Sequence, residues 1–248
     1  MGHAGDGSDQ RGRRGEVSQA AVIVGLDGRK HDADALALAR SLGTVLGGHL
    51  VLAHVVPPPP LGSLAALAPM EQVASGRTFL TRAAAKLARG STTELVDSLP
   101  AAVGLADPAV KCDASMLVLG SSHRGPVGRI VPGSTASRLL GRSPCAVAVA
   151  PMGYASAEPT STSVIGIAYD GTSESEAALE AAAAMAAKLS VPLRLYHAVQ
   201  QAPEGSGSNP TPRHTYELAR STIEAGSRRI PRDVDVTPSV LEGIQRRS

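Results

Sequence analysis

Val22-Ile-Val-Gly-Leu-Asp27-Gly28 returns as Ile165-Gly-Ile-Ala-Tyr-Asp170-Gly171, an offset of 143 residues from Asp27 to Asp170. The same offset carries Leu36 onto Leu179, Leu46 onto Leu189, Leu50 onto Leu193, Leu52 onto Leu195, His54 onto His197 and Val56 onto Val199. An ungapped repeat of apolar positions, Asp-Gly and His reads as two copies of one fold. Each copy opens with a short apolar run closed by a turn signal, the pattern of a strand buried on both faces. A helix follows. In the first copy Asp32 and Asp34 suit its positive N-terminal end. Leu36, Leu38, Leu42, Val45 and Leu46 make its apolar stripe, which stops at Gly47-Gly48. In the second copy Ser173 and Glu176 read as a capping box ahead of Leu179, Met185 and Leu189. The next strand of the first copy is His49 to Val56, ended by Pro57 to Pro60, which no strand can continue.

Further on, the pattern predicts a helix near 70–89, a strand near 93–98, a helix near 100–112 and a strong strand over 115–120. A helix from Ser134 to Gly141 and a strand from Cys145 to Ala150 complete the first copy. Strand alternating with helix gives an α/β fold: a parallel-sheet, Rossmann-like domain repeated in tandem. The expected layout is a flexible tail over 1–19, a complete domain over 20–151 and a linker over 152–162. A partial second copy over 163–248 would lack its C-terminal strands and glycine loop, with a helix near 213–229 and a strand near 233–241. Such a half-built copy is expected to leave a sheet edge and apolar helix faces uncovered, and to pair with another chain or be less stable than the first.

The composition excludes several classes. Of 248 residues 43% are hydrophobic and 19% charged, so the chain is no generic disordered polymer. Aromatics are 2%, which leaves an aliphatic core and no stacking platform for single-stranded nucleic acid. A net charge of +2 gives little pull toward nucleic acid or a membrane surface. No apolar run is long enough to span a bilayer, and the first 16 residues carry no apolar signal segment. Cys112 and Cys145 make no disulfide framework and read as small buried hydrophobes, so a cytoplasmic location is expected.

The sharpest local signal is Gly120-Ser-Ser-His-Arg-Gly-Pro-Val-Gly-Arg-Ile-Val-Pro-Gly133-Ser134-Thr135. It follows a buried strand and precedes a helix, where a parallel sheet binds ligands. Glycines let the backbone approach an anion, the helix start offers free N–H groups, and Ser134, Thr135, Arg124 and Arg129 add donors. Two readings stand: a phosphate cradle, or a tight turn with Ser134 as helix cap. There is no Walker A loop, dinucleotide fingerprint or nucleophile elbow. Asp27 and Asp170 end the first strand of each copy. Each carboxylate could accept from a nucleoside or order its own Asp-Gly turn. His54 and His197 lack partners at metal-ligand spacing and read as polar groups at strand ends. His123 in the loop has no paired base, so no catalytic constellation and no metal site are expected.

These residues resemble the universal stress protein family: a strand into Asp27-Gly28, a strand ending His54-Val55, a strand into a glycine loop, and Gly133-Ser134 before Pro144-Cys145-Ala-Val-Ala-Val. The resemblance is to its tandem-domain type with a truncated second domain. Its ATP-binding members carry G-x2-G-x9-G-[S/T]. Gly120, Gly133 and Ser134 match; His123 stands at the second glycine and Gly125 two places later. The resemblance implies a stress-response protein that binds ATP or a related nucleotide, alone or with Mg2+, at the C-terminal edge of the first sheet. It would regulate by binding and would not be an enzyme. Asp27 and Val55 would hold the adenosine, and Gly120, His123, Arg124, Gly125, Gly133, Ser134 and Thr135 would surround the phosphates. A homo-oligomer or a partner protein is expected, with no nucleic acid and no membrane. The alternative, which His123 favours, is a nucleotide-free interaction module that dimerises and regulates a protein partner.

Overall fold

The computed structural model describes residues 20–58, 68–98, 100–122, 130–157, 162–200 and 212–243. The chain divides into two units, Met1–Ser156 and Ala157–Ser248. The proposed tail over 1–19 lies outside the described residues, as do 158–161 of the proposed linker.

The first unit runs β1 (Ala21–Leu26), α1 (Asp32–Leu46), β2 (His49–Val56), α2 (Ala68–Leu87), β3 (Thr92–Asp97), α3 (Ala101–Lys111), β4 (Ala114–Gly120), α4 (Ser134–Leu139) and β5 (Ala146–Ala150). The strands form one parallel sheet in the order β3-β2-β1-β4-β5. The order reverses between β1 and β4, so a crevice opens beyond their C-terminal ends, the place where such sheets bind ligands. Alternation along the strands sends side chains to two layers. Val22, Val24, Leu52 and Val118 pack with Ala35, Leu36, Leu80 and Ala83 of α1 and α2. Ile23, Val51, Leu117 and Leu119 pack with Ala102, Leu105, Ala136 and Leu139 of α3 and α4. Cys112 and Cys145 pack against this second layer, and burial pushes the Cys145 thiol up, away from the reactive thiolate.

The first unit extends past the expected boundary at 151. A 3-10 turn over Tyr154–Ser156 is fastened to α1, where the buried Asp34 carboxylate accepts from Gly153 N at 3.0 Å and Ala155 N at 2.8 Å. Residues 153–156, expected in the linker, are therefore part of the first unit. Asp34 does more than favour a helix end: it satisfies two backbone donors more than a hundred residues away.

The second unit contains β6 (Ile165–Ala168), α5 (Ser173–Leu189), β7 (Leu193–Gln200), α6 (Pro212–Ser227) and β8 (Val236–Gly243), with the parallel order β6-β7-β8. Leu179, Ala182, Ala183 and Ala186 of α5 and Ile223 of α6 bury one face of this sheet with Leu193 and Leu195. The opposite face exposes Gly166, Ala168, Arg194, Ala198 and Thr237. Their counterparts in the first unit include Ile23 and Val51, which are fully buried. Small and charged residues make most of this face compatible with water; Leu241, paired with Ala198 in the register, is 47% exposed beside them. The capping box is corrected. Thr172, not Ser173, caps α5, its hydroxyl accepting from Ser175 N, while Glu176 pairs with Arg229.

The same Thr172 donates its hydroxyl and its amide to Asp170, at 2.6 and 3.0 Å, and these bonds lower the Asp170 pKa from 3.8 to about 2. The folded state therefore binds its proton only near pH 2, and the unfolded chain near 3.8. The stabilising contribution is full above the ordinary carboxylate range and disappears as pH falls toward 2. Thr172→Val is expected to move the Asp170 titration, followed by carboxyl NMR, back toward 3.8. An unmoved titration would show that the Thr172 hydroxyl is not the cause.

Candidate functional site

Three strand ends build the site. β1 delivers Asp27, β2 delivers Val55 and β4 delivers Gly120, while the chain entering α4 delivers Gly133, Ser134 and Thr135. All six line one cavity of about 690 Å3 at the C-terminal edge of the first sheet. They are six of the nine residues picked from the sequence. His123, Arg124 and Gly125 lie outside the described residues. The cavity has an apolar wall of Leu26, Val55, Ala101, Leu105 and Leu119 and a polar rim that includes Ser122, Ser134, Thr135 and Asp27.

Asp27 follows β1 because the Asp-Gly turn needs a left-handed residue, and Gly28 supplies it at φ 85°. Its carboxylate Oδ1 accepts from Arg29 N at 3.0 Å, which orders the turn, and faces His31 Nε2 at 3.2 Å. Arg29 Nε lies 3.6 Å from Oδ2. The Asp27 side chain keeps 46% of its exposure on the cavity rim, so turn ordering and ligand contact are compatible. At the start of α1, Asp32 ties down the preceding turn: its carboxylate accepts from Asp27 N at 3.1 Å and Gly28 N at 2.8 Å. Burial pushes the Asp32 carboxyl up; those two amides pull it down, and the neighbouring Asp27 charge adds to the rise.

Among the described residues Asp27, His31 and Asp32 hold three ligand atoms within 4.8 Å of one another. Both Asp32 oxygens already serve backbone amides, so ligation there would compete with the bonds that hold the Asp27-Gly28 turn. The two strand-end histidines differ from one another. His54 Nδ1 bonds the Leu26 carbonyl oxygen at 2.8 Å and its ring meets Phe79 edge-on at 5.0 Å. His197 Nδ1 is buried without a partner among the described residues. His54 is a strand-end strut, as expected of a polar group there.

The two open readings of the glycine loop separate on Ser134. Gly133, at φ −70° and ψ 172°, holds the N-cap position of α4 without a side-chain cap, so Ser134 is the first helical residue and not the cap. The hydroxyls of Ser134 and Thr135 make no hydrogen bond within the described residues, and both residues line the cavity. Gly120 and Gly133 also differ in kind. A Cβ on Gly120 would lie 2.6 Å from the His31 carbonyl oxygen, whereas one on Gly133 would meet nothing within 4 Å among the described residues. The chain itself needs Gly120; no described residue crowds Gly133, which lines the cavity.

Sequence reading missed Arg29, His31, Ser121 and Ser122, all of which line the cavity. His31 stands one helical turn after Asp27, and the two serines directly follow Gly120, so their spacing carried a signal.

The model of the universal stress protein family matches residues 20–151 and again 162–245, and the chain belongs to that family. A universal stress protein of Mycobacterium tuberculosis is 36% identical over 92 residues, which is 37% of this chain and 31% of that protein. The matched stretch thus spans less than a third of that relative's length. A solved universal stress protein from Archaeoglobus fulgidus aligns over 90% of this chain and 79% of its own, with a TM-score of 0.60 at 18% identity. A solved protein from Pseudomonas aeruginosa aligns over 92% and 75%, with a TM-score of 0.53 at 14% identity. At these identities the likeness shows the fold. Among the described residues no helix is long and apolar enough to cross a membrane.

Proposed function

We propose that this chain binds ATP or a related nucleotide in the cavity of its first unit and acts by binding rather than by chemistry. The observation that carries the reading is the wall at 133–135: a glycine whose added Cβ would meet no atom of the described residues, followed by two hydroxyls with no bond within the described residues. That is the space and the donor set a phosphate needs. A cavity of about 690 Å3 falls within the range of small-ligand sites, and its apolar wall of Val55, Leu105 and Leu119 suits a flat base. Asp27, at the rim, is placed to accept from ribose hydroxyls. In this reading ATP, alone or with Mg2+, is the ligand of a cytoplasmic stress-response protein, and its binding alters pairing with a second copy or a partner protein.

The test is calorimetric titration of the full chain with ATP, with and without Mg2+, alongside Gly133→Ala. Wild type is expected to bind. Gly133→Ala is expected to keep its melting temperature and to lose affinity by roughly tenfold or more, because its methyl would take up ligand space and touches no atom of the described residues. Absence of binding by wild type would leave the nucleotide-free interaction module as the reading. ATP turnover abolished by His31→Ala would overturn the non-enzymatic part.

A further inference from the structure

Ser121 is 1% exposed, and its hydroxyl is spent on a residue ten positions away. Its Oγ donates to the Val131 carbonyl oxygen at 3.0 Å and accepts from Val131 N at 2.8 Å. Ser122 N donates to the same carbonyl at 2.7 Å, and Ser121 N extends the sheet by donating to the Ala150 carbonyl oxygen at 2.9 Å. One side chain therefore acts as the missing half of a strand pair. It joins the end of β4 to the segment that returns at Val131 and enters α4. Buried hydroxyls must be satisfied. Here donor and acceptor roles both fall on the backbone of one residue, Val131, so a residue of similar size without a hydroxyl would fill the volume and lose the link.

We propose that Ser121 is the positioning residue of this site. It fixes the 131–135 segment against the end of β4 before a ligand arrives, so that Gly133, Ser134 and Thr135 already face Gly120 across the cavity. The physical argument is pre-organisation. Holding the two ends of a ten-residue excursion together costs conformational entropy. If hydrogen bonds inside the protein hold them, folding bears that cost and ligand binding does not, which raises affinity without any new contact to the ligand. Ser121 lines the cavity wall, yet its hydroxyl is committed to Val131, so it acts through the segment it holds. The inference rests on the nucleotide reading only for the choice of probe.

The experiment uses the full chain with Ser121→Ala and Ser121→Thr, at a temperature where all three proteins are folded. Two readouts are taken: ATP affinity by calorimetry, and amide hydrogen exchange at Val131, Gly133 and Ser134. Ser121→Ala is expected to weaken ATP about tenfold, the equivalent of one well-made hydrogen bond. It should speed exchange at those three amides while leaving β1 and β2 amides unchanged, and Ser121→Thr should restore both. If Ser121→Ala does not fold, Ser121→Cys keeps the volume with a much weaker donor and takes its place. Wild-type affinity, or unchanged exchange at 131–134, in the hydroxyl-less variant would overturn the proposal. If wild type binds no ATP, the nucleotide reading fails, and the exchange data alone decide on the clamp.

Discussion

Leu117→Ala is expected to cost the first unit about 2–5 kcal/mol, the range for a buried leucine truncated in a core that cannot collapse around the gap. Leu117 is fully buried in the centre of β4, between Ile23 of β1 and Val147 of β5 in the sheet register. It packs in the layer formed with α3 and α4. Strands on both sides hold its backbone in place, so the site has little freedom to close. Denaturant unfolding is expected to show a lower midpoint at unchanged slope, the mark of lost stability without a changed unfolded state. Thermal unfolding should fall by roughly 10 °C. Val103→Ala is the control: Val103 is 54% exposed on α3, and its truncation should stay within about 0.5 kcal/mol. A loss below about 1 kcal/mol at Leu117 would mean that the α3–α4 layer packs loosely enough to refill the space.

Gly120→Ala is the second large effect. The added methyl would sit 2.6 Å from the His31 carbonyl oxygen and 2.8 Å from the His31 Cβ and Cδ2. That carbonyl accepts from Ala35 N at 3.1 Å in the first turn of α1, so the clash is with fixed backbone and not with a mobile side-chain tip. Either the start of α1 or the end of β4 must move. Over-packing of this kind costs about 1–3 kcal/mol, and more where backbone is the obstacle. The displaced groups, His31 and through it Asp27, line the first-unit cavity, so on the proposed reading stability and ATP affinity are expected to fall together. Gly133→Ala should lower affinity alone. Denaturation midpoints and titrations of the two variants side by side check this. Equal, wild-type stability in both would contradict the close approach of His31 to β4.

Much of the architecture was legible because its signals are local. Apolar runs closed by Asp-Gly, glycine pairs and proline gave the strands and helices of the first unit to within a few residues. The 143-residue offset gave the tandem arrangement. The candidate site was half legible. Asp27, Val55, Gly120 and Gly133 stand at strand ends or at the glycine loop, and one parallel sheet gathers strand ends at one edge. Residues whose task is long-range were misread or missed. Asp34 looked like a helix-end charge and binds Gly153 and Ala155; Thr172 was passed over as a cap; Ser121 was given no role within the glycine loop.

By itself, then, the sequence determined the element order, the parallel α/β fold, the duplication and the sheet edge at which the cavity lies. Periodicity and turn chemistry act within a few residues of themselves, so they can be read along the chain. Only the tertiary structure decided the rest: that Gly120 is glycine for His31 while no described residue crowds Gly133, and that Ser134 is not a cap. It also decided that the open face of the second sheet carries Gly166 and Arg194 where the first buries Ile23 and Val51. Those assignments depend on which backbone atoms approach within 3 Å across ten to more than a hundred residues of chain. Packing and register set such distances, and local propensity carries no information about them.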